Sequence, residues 1–486
     1  MRFLKKQRIG LWLGPVLFIL TKFLFHPEGL TEEANAILAC TLWIAVWWIT
    51  EAIPIAATAL LPIILFPLTN GLSISETTAS FGHQYIFLYL GGFILAIAIE
   101  KWGLHKRIAL NIIKLVGTNI KAIILGFMIA TAILSMWISN TATAVMILPV
   151  GMAVVKQLRD NPKTEENETD VFGKALMLSI AYSASIGGMA TLIGTPPNLV
   201  LAGIVQKTYN VEITFFQWFL FGFPISVVLL VLCWLYLTRF AFKFEQKSFP
   251  AGKEEIEQQL KALGKISYQE QLVLIVFFTV ALAWITRSFV LTKWLPNIDD
   301  TIIAMVGALV LFIIPSKKDS KPLIGWKDTI SIPWGIVLLF GGGMALAQAF
   351  ETSGLTVWIG SQLSSISNVP LWVLLLIIIA SVNFLTEITS NLATTAMLLP
   401  ILIPFAALAG VHPYYLLVAA TVAASCAFML PVATPPNAVV FGSGYLRIGD
   451  MVKTGVWMNL ISIVLLTFIV YFVLPLLWDL AQGSLQ

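Results

Sequence analysis

Two stretches of the chain repeat one polar interruption inside otherwise apolar sequence. The first reads Ser139-Asn140-Thr141-Ala142-Thr143, then Thr195-Pro196-Pro197-Asn198; the second reads Ser390-Asn391-Leu392-Ala393-Thr394, then Thr434-Pro435-Pro436-Asn437. Both lie among hydrophobic runs near the ~20 residues that cross a bilayer, and such runs recur from end to end. At membrane depth each backbone amide or carbonyl freed from a helix costs several kcal/mol unless protein, ligand or water takes it up. Hydroxyls, amides and paired prolines there predict helix breaks, and duplicated breaks predict a midplane binding site in a transporter built from repeats.

Composition sets the class. With 58% hydrophobic and 11% charged residues, the chain reads as an all-α polytopic membrane protein. A net charge of +4, with the basic residues between the apolar runs, argues against a nucleic-acid partner. Cys40, Cys233 and Cys426 lie in apolar surroundings without metal-ligand spacing and read as packing thiols. The basic, then apolar, N-terminus lacks a small-residue cleavage site and reads as a first transmembrane helix rather than a secretory signal.

Apolar runs place spans at 10–27, 35–50, 53–69 and 84–101, then a pair at 122–138 and 140–155 meeting at Ser139-Asn140. A span 173–206 broken at 194–197 follows, then 214–241, 270–289, 301–315 and 331–350. A second pair, 369–386 and 391–408, precedes a span 413–444 broken at 433–436, and the last span is 455–478. If each pair is a re-entrant hairpin, the chain has eleven transmembrane spans, two hairpins and two interrupted helices. Every Lys and Arg except Lys22, Lys207, Arg287 and Lys293 then falls on one side, so the N-terminus is expected in the cytoplasm and the C-terminus outside. A double crossing by each pair leaves the sides unchanged, so the polar Ser-Asn turns carry the argument for re-entrance.

The repeat is wider than its motifs. Glu100, Gly103 and Leu104 match Glu351, Gly354 and Leu355 at the offset of 251 that relates Asn140 to Asn391. Leu90-Gly91-Gly92 likewise resembles Phe340-Gly341-Gly342-Gly343, the glycines reading as close helix packing. Five spans separate the hairpins, an odd number, so the second enters from the opposite face and the halves form an inverted repeat. The expected domains are scaffold helices over 1–121, a transport part over 122–241, a cytoplasmic connector over 242–269, scaffold again over 270–368 and a second transport part over 369–486.

The stretch 122–155 contains no Lys or Arg, and from Asp328 to Asp450 there is only Arg447. The hairpins and breaks offer hydroxyls, the amides of Asn140, Asn391, Asn198 and Asn437, and helix N-termini that favour anions. Carbonyls at the breaks suit a hard monovalent cation, whose charge can compensate a doubly negative guest.

SMWISNTATAVMILP with GTPPN, and TSNLATTAMLLPI with LLVAATVAASCAFMLPVATPPNAVVFGSG, resemble the divalent anion/sodium symporters, carriers of dicarboxylates, citrate or sulfate, over essentially the whole chain. The resemblance implies a homodimer of eleven-span protomers whose mobile transport part moves substrate by an elevator motion. By position it implies one sodium at Ser135, Ser139, Asn140 and Gly194, and a second at Thr386, Thr389, Ser390, Asn391 and Ala433. Substrate carboxylates are then expected at Asn140, Thr141, Ser390, Asn391 and the Thr195-Pro196 and Thr434-Pro435 corners. Leu392 departs from the Ser-Asn-Thr pattern, which weakens symmetric carboxylate recognition and gives this residue a selectivity role.

Sodium-coupled symport of a dicarboxylate of the succinate, malate or fumarate class leads, with sodium as the coupling ion and no organic cofactor. Sodium-independent exchange, or citrate or sulfate as the main substrate, is the alternative. An enzyme is not expected, since HExxH, GxSxG and paired-Asp motifs are lacking. Glu387 is a functional candidate because carboxylates are costly at membrane depth, with a hairpin-stabilising hydrogen bond as its simpler role. The four histidines show no metal spacing, and the expected location is the plasma membrane.

Overall fold

The computed structural model describes residues 5–117, 119–158, 167–244, 250–317, 321–362 and 369–480. Arg2, Arg159, Lys163, Lys247 and Lys318, which belong to the expected inner charges, lie outside the described residues. The architecture is helical, and among the described residues nine helices are long and apolar enough to cross a membrane. They include Lys5–Leu24, Glu32–Thr50, Phe215–Ala241, Tyr268–Trp294, Trp334–Thr352 and Ile448–Phe472. Ile55–Leu68, Ile120–Ser135, Asp300–Ile313, Leu371–Thr386 and Pro413–Ala424 are apolar but only 10–17 residues long. At 1.5 Å per residue the 16 residues of Ile120–Ser135 cover about 24 Å, short of the ~30 Å hydrocarbon core.

Each apolar pair is two helices meeting at a four-residue turn. The first hairpin is Ile120–Ser135 and Asn140–Gln157, opened by Asn119, whose side chain accepts from the Lys121 amide. The second is Leu371–Thr386 and Asn391–Leu408. Both broken spans differ from the expected 194–197 and 433–436. Helix Glu168–Gly188 stops early, 189–195 is non-helical, and Pro196–Tyr209 follows; helix Pro413–Ala424 likewise gives way at 425–434 to Pro435–Phe441. The prolines do not mark the breaks but start the helices after them, because a first-turn proline loses no intrahelical bond and has φ already helical. The expected span 53–69 is also divided, into Ile55–Thr58 and Leu61–Leu68.

The repeat extends to the backbone. Gly103 and Gly354 carry φ of +72° and +75°, left-handed turns that glycine adopts without a Cβ penalty, and each starts a short helix before its hairpin. Within the connector, Pro250–Ala262 packs on Leu104–Leu115 and on Asn140–Gln157, where Gln157 Nε2 donates to Glu255 Oε2 at 2.9 Å. Arg107 fastens its far end, donating to both Glu270 oxygens at 2.8 and 3.2 Å and to the Gly264 carbonyl at 2.9 Å. A buried cluster ties three further segments together: Arg287 makes a two-pronged pair with Glu212 at 2.6 and 2.8 Å and lies 3.2 Å from Asp300.

Candidate functional site

Both hairpin turns and both breaks meet at one cleft of about 670 Å³. All nine expected substrate contacts, Asn140, Thr141, Thr195, Pro196, Ser390, Asn391, Leu392, Thr434 and Pro435, line it, as do Ser139, Gly194, Thr389 and Ala433. Ser135 and Thr386 are not on the wall; they lie buried behind it, each bonded to the asparagine of its own turn. The opposite wall is apolar, with Ile55, Ala56, Phe93, Ile336 and Leu339, and carries Glu51 in a left-handed conformation at the end of Glu32–Thr50.

The two turns are chemical copies. Ser135 Oγ lies 2.6 Å from Asn140 Oδ1 and donates to the Ala184 carbonyl at 2.6 Å. Thr386 Oγ1 lies 2.6 Å from Asn391 Oδ1 and 3.0 Å from the Ala424 carbonyl. Each hydroxyl has one proton for two acceptors, so oxygen lone pairs face one another. The crowding is greater at Asn140: with its amide nitrogen inward it donates to the Gly194 and Ala184 carbonyls at 3.2 Å each. With its oxygen inward, the same place presents only oxygens, from Asn140, Ser135, Gly194 and Ala184. Neutral oxygens converging without a carboxylate suit a hard monovalent cation, and among the described residues no three His, Cys, Asp or Glu converge as a divalent or transition-metal site would need.

Close backbone approach explains the local glycines. A Cβ on Gly194 would strike the Gly188 carbonyl, and one on Gly188 would lie 2.5 Å from Asn140 Oδ1. Thr191 closes the first break by donating to the Met136 carbonyl at 2.5 Å and accepting from the Gly194 amide at 3.1 Å. Trp137 in the turn stacks on Phe215 and Trp284, fixing the hairpin tip to neighbouring helices.

Asn198 and Asn437, offered by sequence as binding amides, are both 0% exposed and turn away from the cleft. Asn198 Nδ2 donates to the Thr191 carbonyl at 2.8 Å, and Asn437 Nδ2 donates to the Leu430 and Ala427 carbonyls at 3.0 and 3.3 Å. They take up carbonyls freed by the breaks, which the duplicated Pro-Pro-Asn spacing could not distinguish from ligand contact.

Glu387 organises the second break rather than its own hairpin. Its carboxylate accepts from the amides of Phe428 at 2.7 Å, Met429 at 3.0 and 3.1 Å and Leu430 at 3.0 Å, and from Asn459 Nδ2 at 2.8 Å. Every contact is a donor, so the ionised acid is the form this pocket fits. The supporting residues escaped the sequence reading: Asn459, whose Oδ1 accepts from the Phe428 amide at 3.3 Å, and Asn383, which donates to the Cys426 carbonyl at 2.7 Å. An Asn inside an apolar run was the available signal for both.

Among the described residues no Lys or Arg lines the cleft, so an anion there is held without a fixed cationic side chain. Helices starting at Asn140 and Asn391 bring their free amide ends to it, those starting at Pro196 and Pro435 add only their dipoles because their first two residues are prolines without an N–H, and Thr141 and Ser390 add hydroxyls. A membrane-embedded helical protein whose repeated, broken segments converge on one such cleft is a secondary transporter. The chain belongs to the sodium:sulfate symporter family: the family described as "Sodium:sulfate symporter transmembrane region" matches residues 5–478. It is 48% identical over 475 residues to the sodium-dependent dicarboxylate transporter SdcS of Staphylococcus saprophyticus, covering 96% of this chain and 92% of that protein. The SdcS of Staphylococcus aureus strain USA300 is 47% identical over 476 residues, covering 97% and 92%. Among solved structures, the Alcanivorax borkumensis YdaH transporter shares the fold with a TM-score of 0.59 at 15% identity, over 97% of this chain and all of that one. Neisseria gonorrhoeae MtrF does so with a TM-score of 0.57 at 12% identity, over 96% and 94%.

Proposed function

We propose that this chain carries a C4 dicarboxylate together with sodium across the plasma membrane. The carrying observation is the pair of Ser/Thr–Asn oxygen clusters flanking a cleft that, among the described residues, no Lys or Arg lines. A dianion there needs positive charge, and at an effective dielectric near 20 one cation ~5 Å away attracts it by roughly 7 kcal/mol. Two such ions neutralise it, so sodium and acid bind as one cargo. The relatives named as sodium-dependent dicarboxylate transporters, at 47–48% identity, support the choice of acid.

The sodium ligands in this reading are Ser135, Ser139, Asn140 and Gly194 at one end, and Thr386, Thr389, Ser390, Asn391 and Ala433 at the other. Eleven spans, with both hairpins re-entrant, put the N-terminus in the cytoplasm and the C-terminus outside. The Glu51 carbonyl at the cleft accepts from Gln7 Nε2 at 3.1 Å, near the N-terminus, so the cleft faces the cytoplasm in this reading. Transport then requires the hairpins and broken helices to move as a body past the remaining helices, an elevator motion turning at Gly103 and Gly354, within a homodimer.

Uptake of labelled succinate, citrate and sulfate into proteoliposomes, with and without an inward sodium gradient, tests the function. Succinate accumulation driven by sodium supports it. Equal uptake in choline, or exchange that ignores sodium, overturns it.

A further inference from the structure

Lys207 is a lysine that the carbon-rich interior does not explain. It sits half-buried near the end of helix Pro196–Tyr209, facing helix Trp334–Thr352 and the turn Ser80–Gly82. Its ammonium donates to Gln348 Oε1 at 2.5 Å and Ser80 Oγ at 3.0 Å, and Ser80 Oγ donates to the same Gln348 oxygen at 3.2 Å. One residue earlier, Gln206 Oε1 accepts from Gln84 Nε2 at 2.8 Å. These contacts join a broken helix that carries cleft residues to helices outside the hairpins, and they lie at the end of Trp334–Thr352 away from the cleft residues Gly335 and Ile336.

A half-buried ammonium gains most from a carboxylate, yet among the described residues Lys207 forms no ion pair. The carboxylate whose charge it feels belongs to Glu351, which is exposed. Glu351 lies three residues beyond Gln348 on the same helix, about 4.5 Å further along its axis at 1.5 Å per residue. Gly203, one turn before Lys207, faces Phe340 and Met344 so closely that a Cβ would come within 2.8 Å of Phe340 Cζ, so the two helices are in direct contact beside the lysine.

We infer that Lys207 is a two-position latch for the transport cycle, held by Gln348 and Ser80 while the cleft faces the cytoplasm and passing to Glu351 when the broken helices move one turn outward. This rests on the elevator reading above. A one-turn exchange of partners is a known way for packed helices to have two discrete registers instead of a continuum. Lys207 is thus a positioning residue: it touches neither sodium nor acid but sets how often the cleft faces each side.

The test uses Val432→Cys, an 80% exposed position on the cleft wall, as a reporter, with the otherwise unmodified protein as blank because Cys40, Cys233 and Cys426 are buried. A membrane-impermeant maleimide is applied to either face of oriented proteoliposomes. Gln348→Leu or Ser80→Ala should lower the ratio of inner to outer labelling about ten- to a hundredfold, the size expected for losing one hydrogen bond to a charged group. Glu351→Gln should raise that ratio by a similar factor. In a Lys207→Met background neither change should matter, because both act through the ammonium. Labelling that responds to sodium and succinate but ignores all these substitutions overturns the latch and leaves the elevator standing. Labelling from one face alone, whatever the substitution and whether or not sodium and succinate are present, overturns the elevator itself.

Discussion

Replacing Glu387 by Gln keeps the shape of the side chain and removes its charge and one acceptor oxygen. In the native pocket the carboxylate receives four donors, three backbone amides and Asn459 Nδ2, all within 3.1 Å. Whichever way the new amide turns, its NH2 faces N–H groups: Phe428, Met429 and Asn459 on one side, Met429 and Leu430 on the other. In the less costly orientation the NH2 faces Leu430, whose buried donor loses its partner at about 1–3 kcal/mol while Met429 keeps the other oxygen at 3.0 Å, and the remaining bonds lose their charge assistance. The local cost is therefore about 2–6 kcal/mol, falling on the segment 425–434 that carries Ala433, a ligand in the proposed second sodium site. If a quarter to a half of that cost appears as loosened geometry at the proposed second sodium site, half-saturating sodium rises about 2- to 100-fold, since each 1.4 kcal/mol is a factor of ten. The assay is sodium titration of succinate uptake in proteoliposomes, paired with sodium-induced thermal stabilisation of purified protein, which reads binding without turnover. A Glu387→Gln protein with native sodium dependence in both measurements would falsify the view that this carboxylate holds the second break in its ion-binding shape.

Four further outcomes are expected. Asn140→Ala and Asn391→Ala should each cut sodium-dependent uptake by at least about tenfold while the protein still purifies as a folded species, since each removes a central oxygen of one cluster; near-normal uptake by both refutes the ligand assignment. Gly194→Ala drives a methyl into the Gly188 carbonyl and should abolish transport, so retained activity would show that the first break is not held as described. Leu392→Thr restores a hydroxyl at the cleft and should shift the ratio of succinate to citrate uptake more than it shifts sodium dependence; an unchanged ratio removes Leu392 from selectivity. Arg287→Met strands Asp300, 2% exposed, beside Glu212 and should lower stability by about 3–5 kcal/mol, measured as a fall in melting temperature with sodium affinity preserved in the surviving fold.

Sequence alone determined that this is a helical membrane transporter with duplicated broken segments. Apolar runs of bilayer length leave the backbone no other economical way to bond itself, and the repeated Ser-Asn and Thr-Pro-Pro-Asn interruptions are too costly in lipid to lack a purpose. The hairpin turns, the candidate cation clusters and the lack of Lys and Arg within 122–155 and 369–408 were readable on the same ground. Tertiary structure decided which polar groups face the cleft and which repair the backbone. Asn140 and Asn198 are both asparagines beside a break, yet the first lines the cleft and the second is consumed by the Thr191 carbonyl. Glu387, Asn383 and Asn459 acquired their roles only when a hairpin, a broken segment and a distant helix came together, because a carbonyl or amide released by one segment is satisfied by whichever neighbour packing brings within 3 Å. Lys207 is the sharpest instance: one of four outer-side cations in the sequence, it gained meaning from a glutamine and a serine more than 120 residues away.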